Sequence, residues 1–217
     1  MKIKLVSYSK PSDELLEKDI TSIKDLVSYC ARVSNPSNQY NTETSEKLIA
    51  YLIKHKHWSP LEMVHICLEI ETTRDIARQM LRHRSFSFQE FSQRYADPTI
   101  LDFEMREARL QDQKNRQNSI ETDDETLSKE WKEKQQEVIN KSKEVYQWAI
   151  ERGIAKEQAR VVLPEGNTVS RLYMSGTLRS WIHYIELRSE HGTQKEHSLV
   201  AKECAMIISN IFPIHYI

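Results

Sequence analysis

The sequence predicts an α/β protein with more helix than strand, in which a mixed sheet is flanked by helices and one helical segment is long. Apolar and polar residues alternate at the N-terminus and again over 63–70, which is the pattern of strands. Elsewhere apolar residues recur at intervals of three and four, as in helices that bury one face. With 217 residues, of which 39% are hydrophobic, the chain can bury one sizeable core, and we expect a single domain over 1–217.

Four elements are predicted in the first part of the chain. Alternation over 3–8 predicts a strand, and helical apolar spacing predicts an amphipathic helix over 44–55. The apolar, β-branched run 63–70 predicts a buried strand. Thr72 and Asp75 have the residue types of a helix start, so a helix is expected directly behind that strand.

The second part of the chain is predicted to be largely helical. Residues 102–137 are dense in charged and amide side chains, and we interpret them as a solvated insertion that runs into a long helix over 126–151. The predicted core face of that helix includes Leu127, Trp131, Val138, Val145 and Ala149. A short helix over 155–162, a strand over 168–175 and two helices over 177–189 and 194–211 complete the prediction.

Composition narrows the function classes. The formal net charge of −1 gives no overall attraction to nucleic acid or to a membrane surface. The four glycines are too far apart for a GxGxxG turn or a Walker loop, so a Rossmann-type fold is not expected. A bound nucleotide would therefore have its phosphates held by side chains, chiefly arginines.

The cysteines and the N-terminus bear on location. Cys30, Cys67 and Cys204 form no CxxC pair, and each lies among apolar residues, so we predict structural thiols and no nucleophile. The N-terminus lacks a signal-peptide pattern, and no run of 18 apolar residues occurs. We therefore expect a cytoplasmic protein that does not enter a membrane.

Polar side chains that could bind a ligand are densest over 79–95. Three arginines and one histidine are interleaved there with aromatic residues, and Glu90 is the single acid. If the Arg-His-Arg part is extended, Arg82 and Arg84 face one side and His83 the other. A guanidinium group can donate two parallel hydrogen bonds to phosphate oxygens. One segment that carries two such phosphate-binding pairs, Arg82 with Arg84 and Ser92 with Arg94, could therefore bind one dinucleotide and one mononucleotide. The spacing leaves an alternative open, a buried ion-pair network with Glu62, Glu69 or Glu90.

Motifs along most of the chain resemble those of the flavin-dependent thymidylate synthase family, and they occur in that family's order. Arg82-His83-Arg84, seven residues and then Ser92 resemble its RHR-x7-S signature, and Gln79, Glu90, Arg94 and Tyr95 also stand in matching places. Residues 55–62 resemble its H-x-H-x-[ST]-P-x-E segment, and residues 159–164 resemble its AR-x-x-LP segment. Residues 178–180, 187–188 and 194–196 resemble its C-terminal site segment.

The resemblance implies that family's fold and the methylation of dUMP to dTMP. It implies that FAD, reduced by NADPH, mediates methylene transfer from methylenetetrahydrofolate and supplies the hydride. It also implies a homotetramer whose active sites draw on several subunits. The implied FAD contacts are His57, Ser59, Arg82, His83, Arg84, Glu90, Thr177, Arg179 and His183. The implied dUMP contacts are Gln79, Ser92, Arg94, Arg160 and Arg188.

Arg188 is the catalytic side chain that the resemblance implies, because it would lie beside the uracil ring. A fixed guanidinium there would stabilise negative charge developing on the N3/O4 edge, which makes C5 more nucleophilic without a cysteine adduct. Without the resemblance, a surface salt bridge to Glu186 or Glu190 is an equally good interpretation.

Other function classes fit less well. A nucleic-acid-binding module could use the arginine–aromatic segment, but such a domain is expected to be basic. A metal-dependent nucleotide hydrolase would need a carboxylate cluster for magnesium, which the sequence lacks. His55, His57 and His65 match no metal-binding spacing, and no metal is expected.

Overall fold

The computed structural model describes residues 1–212, whose central feature is a four-stranded antiparallel sheet. The strands are β1 Lys2–Tyr8, β2 His65–Thr73, β3 Phe86–Glu90, β4 Arg109–Gln111, β5 Ser119–Glu121 and β6 Val169–Thr177. Their order in the sheet is β1–β2–β6–β3, while β4 and β5 form a separate hairpin. The α/β class is confirmed, but each pair in the central sheet is antiparallel, whereas a mixed sheet was expected.

Eight α-helices lie within residues 1–212. They are α1 Asp13–Leu16, α2 Ile23–Ala31, α3 Ser45–Lys54, α4 Arg74–Met80, α5 Glu125–Glu151, α6 Lys156–Ala159, α7 Leu178–Ser189 and α8 Lys195–Ser209. Short 3-10 helices cover Pro36–Asn38, Ser59–Glu62, Pro98–Leu101 and Arg160–Val162. The predicted helices and strands are confirmed to within a few residues. The sequence analysis did not predict α1, α2, β3 or the hairpin of β4 and β5.

The core lies between the central sheet and the helices that follow β6. Leu68 of β2 and Leu172 of β6 are fully buried, as are Trp181 and Ile182 of α7. The Trp181 indole N–H donates to the Ile66 carbonyl oxygen at 3.0 Å, so the largest buried ring is also satisfied as a donor. Burial of these apolar faces fixes the position of α7 on the sheet.

The core face predicted for α5 is wrong over most of its length. Ala149 is buried as predicted, but Leu127, Trp131 and Val138 are 37%, 43% and 51% exposed. The buried residues of α5 are Gln135, Ile139, Ser142, Tyr146 and Ala149. Polar residues occupy part of the inward stripe because Gln135 bonds to the backbone of Arg106, so hydrophobicity did not reveal which face is inside.

The charged insertion is attached to the core, although most of its side chains are exposed as predicted. Arg106 bridges Asp75 of α4, at 2.9 Å, and Glu196 of α8, at 3.3 Å. Arg109 pairs with the same Glu196. The insertion therefore ties the first turns of α4 and α8 together.

Antiparallel pairing gives the sheet two functionally distinct ends. At the Thr177 end, Thr177 lies opposite His65 and Gly176 lies opposite Phe86, so β6 ends where β2 and β3 begin. A Cβ at Gly176 would lie 2.5 Å from the Phe86 ring, so this close approach requires glycine. At the Val169 end, β6 begins where β2 ends.

Candidate active site

The Arg-His-Arg segment connects α4 to β3 at the Thr177 end of the sheet. It is folded into tight turns, in which the His83 N–H donates to the Met80 carbonyl at 2.9 Å and the Phe86 N–H donates to the His83 carbonyl at 3.2 Å. The segment is therefore not extended, yet Arg82 and Arg84 are exposed while His83 is partly buried. The two arginines face solvent and the histidine faces the interior.

The side chains of Arg82 and Arg84 make no hydrogen bond or ion pair within residues 1–212. The acids of the alternative network are occupied elsewhere. Glu62 pairs with Arg179, Glu90 pairs with Arg74, and Glu69 pairs with Lys4 and Arg171. Two unpaired guanidinium groups on one turn fit the phosphates of a dinucleotide better than a structural ion-pair network.

A second segment reaches the same end through the turn after α3. The N–H of His57 donates to the Leu52 carbonyl at 2.8 Å and the N–H of Lys56 donates to the Ile53 carbonyl at 3.0 Å, which is a Schellman motif. Lys56 has a φ of 57°, a left-handed conformation that costs a non-glycine residue about 1 kcal/mol. The turn leaves His57 and Ser59 exposed.

The start of α7 joins these two segments. Thr177 caps the helix by accepting from the Ser180 N–H at 3.1 Å, and the Ser180 hydroxyl donates to the Ser85 carbonyl at 3.3 Å. Arg179 forms an ion pair with Glu62, and the His183 ring meets the Trp58 ring edge-on at 4.5 Å. The structure therefore brings these candidate FAD residues to one end of the sheet: His57, Ser59, Arg82, His83, Arg84, Thr177, Arg179 and His183.

Arg188 lies near the end of α7 and is held by His83. Its Nε–H donates to His83 Nε2 at 2.9 Å, and the surface salt bridge to Glu186 or Glu190 is not formed within residues 1–212. Burial, together with the charge of Arg188, lowers the pKa of His83 to about 4, so the ring is neutral at pH 7 and can accept this bond. The guanidinium is oriented while both of its terminal NH2 groups stay available.

The buried His197 and the partly buried His83 predict acid-sensitive stability. Burial, then Arg188 and His83, lowers the pKa of His197 to about 3, and His83 is lowered to about 4 from an ordinary 6.5. Since the unfolded chain takes up these protons first, stability is fully present above pH 6.5 and falls as the pH drops towards 4. The loss approaches about 1.4 kcal/mol per pH unit for each ring.

Chemical denaturation between pH 8 and pH 4.5 measures this effect. His197→Gln should flatten the acid limb of the stability curve, while His65→Gln, at an exposed histidine, should leave its slope unchanged. Equal slopes in wild type and His197→Gln would contradict the assignment of a buried neutral ring to His197.

The remaining candidates lie near the Val169 end. Glu90 accepts from the Ser170 hydroxyl at 2.7 Å and from Arg74 at 3.3 Å, so it is not among the other candidate FAD residues. Arg94 pairs with Glu157 at 3.1 Å, and the Arg160 Nε–H donates to the Glu157 carbonyl at 3.4 Å. Ser92 and Arg94 line an open cleft of about 350 Å³ whose other wall is 155–157.

One chain does not bring the two halves of the RHR-x7-S signature together. The five residues of β3 lie between Arg84 and Ser92, and an extended strand of that length spans about 13 Å between its first and last Cα atoms. Gln79 and Arg188 lie on the His83 side of this strand, whereas Ser92, Arg94 and Arg160 lie beyond its other end.

None of the three cysteines has the surroundings of a nucleophile. Cys204 is fully buried, and burial raises its thiol pKa far above the ordinary range. Cys30 and Cys67 are partly buried, and burial raises the pKa of each. All three therefore stay protonated near pH 7, where a reactive cysteine would be a thiolate.

We accordingly expect a Cys30→Ala, Cys67→Ala and Cys204→Ala triple variant to retain the dTMP formation that the motif resemblance implies. The variant should unfold at lower temperature, because removing a buried sulfur leaves a small void in the core. The measurement is dTMP formation normalised to the folded, flavin-loaded fraction, with Cys204→Ser as a control for core damage alone. A folded triple variant that binds dUMP but makes no dTMP would contradict a thiol-free reaction.

Several polar residues at the site were not selected from the sequence. Tyr184 and His197 are fully buried and bonded to each other at 3.1 Å, and His197 is also bonded to Gln79 at 3.2 Å. His197 lies on the apolar face of α8 with Val200 and Cys204, at helical spacing. A histidine at that spacing was a usable signal for an internal hydrogen-bonding role.

Residues 1–212 contain neither a membrane-spanning helix nor a cluster of metal ligands. No helix there is both long and apolar enough to cross a bilayer. No group of three or more His, Cys, Asp or Glu side chains there is placed to hold a metal ion.

Comparisons with known proteins agree over nearly the whole chain. The family model described as thymidylate synthase complementing protein matches residues 14–214. The chain is 48% identical over 214 residues to a probable flavin-dependent thymidylate synthase of Paramecium bursaria Chlorella virus 1, covering 98% of this chain and 96% of that protein. It is 48% identical over 213 residues to the flavin-dependent thymidylate synthase of a Synechocystis species, with the same two coverages.

A solved structure is also similar. The UMP/dUMP methylase PolB of Streptomyces cacaoi, bound with 5-Br dUMP, superposes with a TM-score of 0.77 at 25% sequence identity. The match covers 99% of this chain and 92% of that one.

Proposed function

Because the chain belongs to the family of flavin-dependent thymidylate synthases, we propose that its two groups of site residues bind FAD and dUMP in active sites completed by a second subunit. The reaction is the reductive methylation of dUMP to dTMP. We take methylenetetrahydrofolate as the carbon donor and NADPH as the source of electrons, as the motif resemblance implies. The three unpaired cysteines support a location in the reducing cytoplasm.

The Thr177 end of the sheet is the proposed FAD site. The observation that carries this assignment is the pair of exposed arginines, Arg82 and Arg84, which have no partner within residues 1–212. Ser59 and the start of α7 supply hydroxyl groups beside them, and Arg179 is held in place by Glu62. Bound FAD would supply the hydride for the reaction, while these residues bind it and orient it.

The dUMP site would combine the two remaining groups. Ser92, Arg94 and Arg160 offer two guanidinium groups and a hydroxyl for the phosphate. Arg188 and Gln79 would meet the base, where Arg188 stabilises charge on the uracil edge. Since β3 separates these groups by about 13 Å in one chain, a site containing both is more readily formed between two chains.

The long helix α5 supports assembly of several subunits. Trp131, Val138 and Trp148 are 43%, 51% and 52% exposed, and Leu127 extends the same apolar surface. Large apolar side chains at this density on one exposed helix mark an interaction surface. We propose that α5 contributes to the interfaces of a homotetramer.

Flavin binding tests this function directly. Purified protein, reconstituted with FAD if necessary, is expected to show flavin absorption bands and to release FAD on denaturation. Arg84→Ala should weaken FAD binding about 10- to 100-fold, because it removes a charge-assisted contact to phosphate.

The matched control is Arg78→Ala, which removes an exposed arginine of α4 that pairs with Glu165 and should leave FAD binding unchanged. Wild-type protein that takes up no FAD even in excess would refute the proposed function. A nucleic-acid-binding protein would instead bind DNA or RNA with strong salt dependence.

A further inference from the structure

An unbroken series of hydrogen bonds connects Tyr184 to Glu196. Tyr184 and His197 are 3.1 Å apart, and His197 lies 3.2 Å from the Gln79 side-chain oxygen. The Gln79 amide donates to the Gln194 oxygen at 2.8 Å, and the Gln194 amide donates to a Glu196 oxygen at 2.9 Å. We call these five side chains the relay.

Glu196 determines the direction of the relay at one end. Burial alone would raise its pKa, but hydrogen bonds from Arg109 and Gln194 and the charge of Arg106 lower it, so Glu196 is a carboxylate. A carboxylate only accepts hydrogen bonds, and Gln194 must therefore turn its NH2 group towards it. The carbonyl oxygen of Gln194 then faces Gln79.

The same constraint passes along the series. Because the Gln194 oxygen accepts, Gln79 presents its NH2 group there and its own oxygen to His197. His197 is neutral, since burial lowers its pKa to about 3, so a single ring nitrogen carries a proton. That nitrogen must be Nδ1, which faces the Gln79 oxygen. Nε2 then accepts from the Tyr184 hydroxyl, and burial keeps that phenol protonated by raising its pKa.

We propose that the charge of Glu196 fixes Gln79 as a hydrogen-bond donor towards the substrate, with His197, Tyr184 and Gln194 as positioning residues. This inference rests on the proposed role of Gln79 at dUMP. One amide hydrogen of Gln79 binds Gln194, and the other has no partner within residues 1–212. Gln79 would therefore recognise an acceptor oxygen of the nucleotide and reject a donor such as N3–H.

The proposal also gives the charged insertion a role. Arg106 and Arg109 lie on the insertion, and both contact Glu196. These two arginines keep the Glu196 carboxylate ionised, and so they maintain the order of donors and acceptors along the relay. The insertion acts on substrate binding without touching the substrate.

Tyr184→Phe is the main test, because it removes one hydroxyl two side chains away from Gln79 and keeps the ring. Without that donor, His197 Nε2 loses its partner. The ring, and the Gln79 side chain bonded to it, are then held less firmly, although Glu196 still sets the direction of the amide. We expect the KM for dUMP to rise about threefold to tenfold, with kcat changed less and FAD binding unchanged. Tyr146→Phe is the matched control, since it removes a buried hydroxyl that has no partner within residues 1–212 and lies outside the relay.

Glu196→Gln tests the source of direction, because a glutamine can face Gln194 with either its oxygen or its NH2 group. It should raise the KM for dUMP by a similar factor. Asp75→Asn, which also removes a carboxylate from Arg106 but leaves the relay intact, should not. Equal effects of the two variants would show that Glu196 acts through the ion pairs alone and would overturn the proposal.

The ring nitrogens of His197 give a readout that does not depend on catalysis. In ¹⁵N-histidine-labelled enzyme, with the signal assigned by its loss in His197→Gln, Nδ1 should carry the proton and Nε2 should not. Glu196→Gln should let the proton distribute over both ring nitrogens, whereas Tyr184→Phe should leave it on Nδ1. A proton on Nε2 in the wild type would overturn the proposal, whereas an enzyme with the expected tautomer that makes no dTMP would refute the proposed function instead.

Discussion

Replacement of Arg188 by alanine is expected to lower single-turnover dTMP formation about 10²- to 10³-fold at saturating dUMP and methylenetetrahydrofolate. The reason is electrostatic preorganisation, in which a fixed positive group stabilises charge that develops on the uracil edge in the transition state. The structure supplies the fixation, because the Arg188 Nε–H is bonded to His83 Nε2 at 2.9 Å. The two terminal NH2 groups then form a planar fork of fixed orientation.

Arg188→Lys should also be strongly impaired, although it keeps the charge. A lysine cannot both bind His83 through one nitrogen and present two further donors in a plane. Both variants should retain FAD, because they leave Arg82, Arg84 and Arg179, which are proposed to bind it, unchanged. The split between intact flavin binding and lost chemistry separates a catalytic role from loss of the fold.

The control for Arg188 is Glu186→Ala on the same helix. Glu186 is exposed and makes no ion pair with Arg188 within residues 1–212, so its removal should leave the rate unchanged. Pre-reduced enzyme isolates the methyl-transfer steps from flavin reduction. An Arg188→Ala enzyme that forms dTMP at a rate near that of wild type would remove Arg188 from the catalytic assignment.

The elements with strong periodicity could be predicted from the sequence, because their burial follows from spacing. α3, β2, α7 and α8 each bury one apolar face, and each was predicted close to its observed bounds. β3 was not predicted, because its residues Phe-Ser-Phe-Gln-Glu were interpreted as ligand-binding chemistry. These five residues form the edge strand of the sheet, and they also separate the two halves of the signature.

The inward face of α5 could not be predicted from hydrophobicity. Its buried stripe includes Gln135 and Ser142, while Trp131 and Val138 are exposed. A helix that buries one face in its own core and presents another apolar face outwards carries two overlapping patterns. A single sequence does not separate them, and the sequence prediction followed the outward one.

The candidate site was predictable as a set of residues but not as a geometry. The motifs named Arg82, Arg84, Arg94 and Arg188, yet nothing in their spacing states that β3 lies between the first pair and Arg94. The partners of Arg188 and Arg94, which are His83 and Glu157, depend on contacts over long sequence separation. Such contacts follow from the packed fold and not from local pattern.

Arg94→Ala is expected to weaken dUMP binding to the FAD-loaded enzyme about 30- to 150-fold, with FAD binding nearly unchanged. A bidentate, charge-assisted contact to phosphate is worth roughly 2–3 kcal/mol, and that difference corresponds to this factor. In the absence of ligand, Arg94 is paired with the exposed Glu157 at 3.1 Å, so the phosphate has to displace a carboxylate. Glu157→Gln, which removes the competitor and keeps the cation, should therefore bind dUMP at least as tightly as wild type.

Isothermal titration of dUMP into the FAD-loaded variants measures these affinities, with Arg116→Ala on the exposed hairpin segment as a control for a general loss of positive charge. Loss of FAD with retained dUMP affinity would show that the two halves of the signature have been assigned the wrong way round.

Mixed oligomers test the shared site, because Arg94 and Arg188 would come from different chains in each active site. At limiting dUMP, subunits of Arg94→Ala and Arg188→Ala that are denatured and refolded together should form dTMP faster than either variant alone. The reason is that some mixed sites then contain both arginines. No recovery in mixtures shown to be hybrid would place both arginines in the site of a single chain, which β3 would then have to bring together by a rearrangement of the Ser92 turn.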